Sequence, residues 1–454
     1  MLHTRDKLMI LVMMIGGFCG SLRQNMLTSA LPAIMADLQV NAFIGQWLTT
    51  SYILVLGIIT AVSAWLFFQF TVRQLEIGSL MLFFAGCVAA FLAPDFSVLL
   101  IARIIQACGA GITIPLLQIV LLYLFPKEMQ GRAMALTGII VGFAPALGPT
   151  LAGVLTDTFG WRSIFLFLLA LSGSMVAAGF FAIHNVGKRH SSSLDAISLE
   201  LYAVGFTAFM LGIGQLDGQG GLVRFTALLL LGILALALFC IRQTHRESPL
   251  LKIGLLKIRS VSAGTLLLGL SYILMMSGTV LVPLYIQTIG GHSATLSGLI
   301  LLPGALLIAF LSPLSGKLSD SIGARRVCII GMVILSLGCL GFVFFSAVTS
   351  AWLVTLFYAV RSIGLAFLIT SCTTLAVEGV TLEDKPHASA ILNSLRQMTG
   401  ALFTAVLVQI SVTASTSSTL DMQGMHVTFC AMTAIAALGI ILALVTPPRH
   451  LEIK

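Results

Sequence analysis

The sequence predicts an all-α integral membrane protein of fourteen transmembrane helices, on three observations. Of 454 residues, 58% are hydrophobic and only 9% are charged, against about a quarter charged in soluble chains, so a soluble globular protein is excluded. Apolar runs long enough to cross a bilayer recur from end to end. Fourteen of them at about 20 residues each leave only short connections, with no room for a large extramembrane domain. With both termini placed on the inner side, eighteen of the 24 Lys and Arg fall on that side and only Arg162 and Arg224 on the other, while Arg23, Arg103, Arg361 and Arg396 lie within spans. The bias alternates loop by loop, as orientation by basic residues requires. The net charge of +8 therefore reads as orientation in a lipid bilayer, with no nucleic-acid partner.

The first helix, near 8–31, follows a short basic head (Arg5, Lys7) and lacks a small-residue cleavage site, so it is expected to be retained and not removed as a signal peptide. The polar stretch ending at Asn41 precedes the second, 46–68, and Arg73 and Gln74 separate that from the third, 75–94. Pro94 and Asp95 mark the start of the fourth, 97–125; Pro126 to Gln130 introduce the fifth, 131–156; Asp157 to Gly160 introduce the sixth, 161–185. Two long polar connections, 186–197 and 243–260, bracket two further helices at 198–216 and 222–242. The last six lie at 261–287, 294–316, 326–347, 351–378, 389–412 and 427–446, parted by Gly, charge or Pro clusters. In 243–260, Leu250, Leu251, Leu255, Leu256 and Ile258 alternate with Lys252, Lys257 and Arg259, which suits either an amphipathic stretch on the inner surface or an ordinary solvated loop. The chain thus divides into a six-helix bundle (1–185), two linker helices with their polar connections (186–260) and a second six-helix bundle (261–454). Two facing bundles place a site at the midplane between them.

Catalytic chemistry is not expected. The eight cysteines sit in or beside apolar runs without a CxxC pair, and the eight histidines scatter through ends and loops, so neither a metal site nor a cofactor is expected. HExxH, GxSxG, P-loop and helically spaced carboxylate pairs are all missing, which argues against an enzyme.

Three motifs carry more information. Gly138, Gly142, Pro145, Gly148, Pro149 and Gly153 crowd one helix, letting it bend and approach a neighbour closely. The stretch GKLSDSIGARR supplies Gly316, Asp320, Gly323, Arg325 and Arg326, an acid near a helix end beside basic residues. Asn393, Arg396 and Gln397 stand at i, i+3 and i+4 and share a face. Together with Arg103, Gln106, Gly109 and Gly111 in the fourth helix, these stretches resemble the major facilitator superfamily, in particular its fourteen-helix drug:proton antiporter branch, through nearly the whole chain. The resemblance implies a six-plus-two-plus-six major facilitator fold, and with no organelle-type targeting segment in the sequence a bacterial inner membrane is the expected location. It implies a secondary exporter of amphiphilic small molecules, driven by protons and working by alternating access. It also makes the glycine-rich helix a rocking surface and Asp320 a latch that holds one half against the other and releases on the switch.

The chain departs from that branch in instructive places. LRQNMLTSALP puts Arg23 where the branch carries an acidic residue, Phe68 stands at the acidic position of the first inner-loop motif, and Arg361 replaces a small residue. Four arginines within spans cost about 2.5–3.5 kcal/mol each if central and unpaired. The candidate carboxylates, Asp157, Glu200 and Glu378, stand at helix ends, which leaves the interior positive. One reading makes the arginines structural, bonding backbone carbonyls or snorkelling. The other gathers Arg23, Arg103, Arg361 and Arg396 around a cavity with Asn25, Tyr52, Gln106, Asn393 and Gln397, suited to an anionic amphiphile such as a lipid, siderophore or acidic metabolite. A non-transporting membrane sensor of the same fold is the contrasting class.

Overall fold

The computed structural model describes residues 3–187, 194–213, 221–246, 249–415 and 421–446. The chain termini and parts of the expected connections near 190, 217 and 418 lie outside the described residues. Among the described residues every expected helical stretch falls on one of fourteen α-helices, 214–216 of the expected seventh lying outside those residues: α1 (Thr4–Asp37), α2 (Ala42–Gln69), α3 (Val72–Phe91), α4 (Phe96–Leu124), α5 (Gln130–Phe159), α6 (Arg162–Ala182), α7 (Ala196–Ile213), α8 (Gly221–His245), α9 (Arg259–Leu284), α10 (Ala294–Ile322), α11 (Ala324–Val343), α12 (Ala351–Val377), α13 (Lys385–Thr413) and α14 (Met422–Val445). Eleven are long and apolar enough to cross a membrane, and twelve if α5, bent by 40° beside Pro145, counts as one span. α1 is not among them, and α7 is a shorter apolar helix.

Helix starts follow local chemistry. Asn41, Asp95, Ser293 and Asp421 each accept a hydrogen bond from a backbone N–H one turn ahead, capping α2, α4, α10 and α14, and Thr71 with Gln74 forms a capping box at α3. Gly323, at φ +90°, makes the reversal from α10 into α11, a backbone conformation that disfavours any residue with a Cβ.

The first six helices pack mainly on one another, α1 against α5 and α6 and α3 against α4 and α6, while α9 to α14 form the second array. The halves meet chiefly where α5 lies against α10 and α12, and α13 against α2 and α4. α7 and α8 pair with each other, and α7 touches both α2 and α13. The outside of the bundle is apolar, with Phe181, Phe310 and Trp352 more than three-quarters exposed, whereas Arg23, Arg103 and Arg361 are fully buried. This inversion of the soluble pattern suits a protein whose surroundings are lipid.

Contacts identify the face at which α1 begins, here termed the terminal face. There His184 pairs with Asp6 at 3.0 Å, Arg73 bonds the Phe180 carbonyl and, through its backbone, Asn185, and the Tyr123 hydroxyl donates to Leu382 O. Lys252 pairs with Asp384 at 2.8 Å. Of the two readings of the 243–260 connection, the solvated loop does not hold: Leu250, Leu251 and Leu255 are buried with Ala61, Tyr202 and Ile391, at the seam of α2, α7 and α13.

Candidate functional site

The halves enclose a narrow cavity of about 30 Å³, lined from the first half by Gly20, Ser21 and Gln24 of α1, Thr60 of α2, Gly111 and Pro115 of α4 and Pro145 of α5. From the second half it is lined by Tyr272 of α9 and by Asn393, Arg396 and Gln397 of α13. Among the described residues Arg396 is the one charged side chain in that lining. Its guanidinium lies 5.0 Å from the Tyr272 ring centre, and its Nε has no hydrogen-bond partner. A site for a drug-sized ligand spans about 300–1,000 Å³, so the cavity is contracted here.

Its floor toward the terminal face is a polar bridge between halves. Gln118 of α4 accepts hydrogen bonds from the Ser389 hydroxyl at 2.7 Å and from Asn393 Nδ2 at 2.6 Å. All three are nearly water-free, so each bond replaces a costly unpaired group. Gln118 and Ser389 escaped the sequence reading. A lone Gln in the apolar run PLLQIVLL was the available signal, but nothing local told which helix it faced.

The other arginines of the expected cavity do not line it. Arg103 donates from Nε to Leu48 O at 3.2 Å and from Nη1 to Gln106 Oε1 at 3.4 Å, and Gln106 in turn reaches the Cys87 thiol. Arg23 and Arg103 share Tyr52, each 4.4 Å from its ring centre, and Arg23 is also 4.4 Å from Phe83. No Arg23 nitrogen has a hydrogen-bond partner among the described residues, so aromatic faces are what hold its charge. This cluster is interior to the first half, and the Asn25 side chain lies outside the described residues. Arg361 sits elsewhere again, inside the second half. It donates to Leu274 O and, at 3.0 Å, to Met275 O, and a Cβ on Gly278 or Gly338 would collide with it. Of the four arginines, Arg396 alone lines this cavity, and Arg361 ties its own helix, α12, to α9.

The acid of the GKLSDSIGARR motif spans the halves. Asp320, on α10, accepts from the backbone N–H of Gly131 at 2.6 Å and of Arg132 at 3.1 Å, the open N-terminus of α5, with Arg132 Nε 3.6 Å away. A helix N-terminus is a natural seat for a carboxylate. The approach depends on two glycines, since a Cβ on Gly131 would lie 2.4 Å from Gly316 O, and one on Gly316 would lie 2.4 Å from Gly131 O. Arg132 takes the place expected for Arg325 and Arg326: Arg325 instead donates to Leu444 O at the end of α14, and Arg326 is exposed. Farther along α5, Gly138 faces Thr370 and Ser312, and Gly142 meets Ile308 so closely that a Cβ would lie 2.1 Å from it. Gly148 is buried and Pro149 half-buried, whereas Gly153 faces open space.

One carboxylate went unnoticed in the sequence. Glu76 of α3 is fully buried, while Asp157 and Glu200 are exposed and Glu378 is half-buried. Its place three residues after Arg73, at the edge of a span, makes it look like an ordinary interfacial charge.

Two helical arrays in an apolar coat, facing each other across a narrow cavity and joined through Asp320 at the terminal face, define a membrane transporter of two halves. Residues 13–404 match the Major Facilitator Superfamily, and the chain belongs to that family. It is 37% identical to YcnB of Bacillus subtilis (strain 168), an MFS-type transporter, over 97% of this chain and 95% of the relative. It is 34% identical to the lincomycin resistance protein LmrB of the same organism, over 88% of this chain and 84% of LmrB. Identity to the multidrug export protein EmrB of Haemophilus influenzae is 26%, covering 88% and 79% of the two chains. Among solved structures, the human organic anion transporter MFSD10 shares the fold, with a TM-score of 0.72 at 14% identity over 97% of this chain and all of that one.

Proposed function

We propose that the protein exports amphiphilic compounds by proton antiport, as a multidrug efflux carrier whose two halves expose the cavity alternately to the two sides of a bacterial inner membrane. All fourteen helices cross the bilayer, and the terminal face is cytoplasmic. The observation that carries this reading is the Asp320 seat on the N-terminus of α5. It joins the halves at the terminal face, beside a cavity too small to hold a substrate, as an alternating carrier closed to the cytoplasm requires. The lincomycin resistance and multidrug export named for its relatives support the substrate class. Arg396 favours a second reading, in which the preferred substrate is an anionic amphiphile.

The test is flux in liposomes holding the purified protein under an imposed pH gradient, with lincomycin, the cation ethidium and the anion 8-anilinonaphthalene-1-sulfonate as probes. Gradient-driven movement of lincomycin or ethidium supports the first reading. Preference for the sulfonate supports the second, and no flux of any probe in active preparations sinks both.

A further inference from the structure

Glu76 lies in the second turn of α3, with no exposed surface and no hydrogen-bond partner for either carboxyl oxygen among the described residues. Its Oε1 stands 3.5 Å from where a Cβ on Gly16 of α1 would be, and Leu80 and the Thr113 methyl of α4 close the same spot. The nearby hydroxyls of Ser79 and Thr113 bond each other at 3.0 Å and the Gly109 carbonyl, and so leave the acid alone.

Among the described residues no cation answers it either, and Arg73, three residues before it on α3, is turned to the Phe180 carbonyl. On α1, Asp6 is paired with His184 beyond the end of α6, Cys19 is a buried thiol, and Arg23 lies over Tyr52 and Phe83. On α4, Arg103 is bound to Leu48 and Gln106, and Cys108 and Tyr123 make no bond to the acid. From α6 the neighbouring surface is Gly179, against Leu80 and Ile77.

An ionised carboxylate buried without a partner costs several kcal/mol, so in this conformation the group is the neutral acid. The cavity is nevertheless close. Gly20, lining the cavity, is one turn of α1 beyond Gly16, about 6 Å, and on α4 Gly111 lines the cavity two residues from Thr113. A small opening of the seam between α1 and α4 would wet the acid.

We propose that Glu76 carries the coupling proton, in place of an acid on α1. The assignment rests on the antiport reading above. The carboxylate takes one proton from cavity water, keeps it while the terminal face is closed, and releases it to water on that face when the halves reopen there. No other bond is made or broken. Arg23, at the position where the resemblance led to an acid, offers no carboxylate for this cycle.

The test compares wild type, Glu76→Gln and Glu76→Asp as full chains in liposomes. Three quantities are read with whichever of lincomycin and ethidium the wild type moves: uptake driven by a pH gradient, exchange of labelled for unlabelled probe without a gradient, and probe-triggered proton movement reported by a lumenal pH dye. The glutamine mimics the neutral acid in size. It should lose gradient-driven uptake and proton movement at least tenfold while keeping exchange, and the aspartate should restore part of both. If Glu76→Gln does not reach the membrane folded, Glu76→Asp decides: its gradient-driven uptake must show a displaced pH midpoint with unchanged exchange. Proton movement of wild-type size in Glu76→Gln would overturn the assignment alone, as would equal loss of exchange and uptake in a folded variant. Wild-type exchange with no proton movement would overturn the antiport reading and this assignment with it.

Discussion

Removing the Asp320 carboxylate should open the terminal face. The two backbone N–H groups it accepts from, at 2.6 and 3.1 Å, are charge-assisted bonds worth about 1.5–3 kcal/mol each, and Arg132, half exposed, adds at most about 1 kcal/mol. Because these bonds join the two halves, they count for the closed conformation and vanish in the open one. A conservative total of about 3 kcal/mol shifts the closed-to-open ratio by about 150-fold in Asp320→Ala. Spin labels at the exposed positions Glu128 and Lys317, with the exposed Cys240 and Cys430 replaced by serine, would read the distance between α10 and the turn before α5 by pulsed dipolar spectroscopy. The expected result is a short distance in the parent and a second, longer population dominating the variant. An unchanged distribution in folded Asp320→Ala would refute the latch.

Other expectations follow from packing and charge. Gly142→Ala, whose new methyl would strike Ile308, should cut probe flux severalfold, and Gly153→Ala, with nothing within 4 Å, should leave it intact; equal fluxes would show that close packing of α5 on α10 is immaterial. Arg361→Met should lower the thermal midpoint of the detergent-solubilised protein more than Arg396→Met does, while Arg396→Met should alter the flux ratio of sulfonate to ethidium; the reverse pattern would contradict the placement of the two arginines. The Arg242 guanidinium, bonding Asp195 at 2.8 and 2.9 Å, holds that carboxyl well below the usual carboxylate range. A depressed value stabilises the native state above the unfolded Asp value of about 3.9 and ceases to as pH falls toward the native value. Thermal stability should therefore lose a contribution below about pH 4 that Asp195→Asn lacks at every pH; identical profiles would remove the pair from the account.

The helices were legible because apolar length and alternating basic loops are local signals, readable without knowing what touches what. The linker was half legible: Leu250, Leu251 and Leu255 marked an apolar stripe that left a surface stretch and a solvated loop both open, and only the fold shows that protein covers it. Pairing across the halves was not legible. Asp320 stood out, yet its partner is the bare N-terminus of α5, a backbone site that no side chain advertises. The arginines misled because charge within a span identifies a buried group without saying which bundle buries it. The Arg361 guanidinium fits a slot left by Gly278, and Gly338 lets α11 approach the Arg361 backbone; both glycines are distant in sequence and silent as a motif.

Arg23 also bears on how such a chain is made. The aromatic faces that hold its charge belong to Tyr52 on α2 and Phe83 on α3, and both are synthesised after it. When α1 leaves the ribosome it carries a guanidinium with nothing to rest on, so it must linger at the insertion machinery or near the membrane surface until two more helices follow. The first three helices should therefore enter the membrane as a group, and a truncation just after α1 should yield a fragment that settles in the membrane less completely than one ending after α3; equal membrane recovery of the two would refute this.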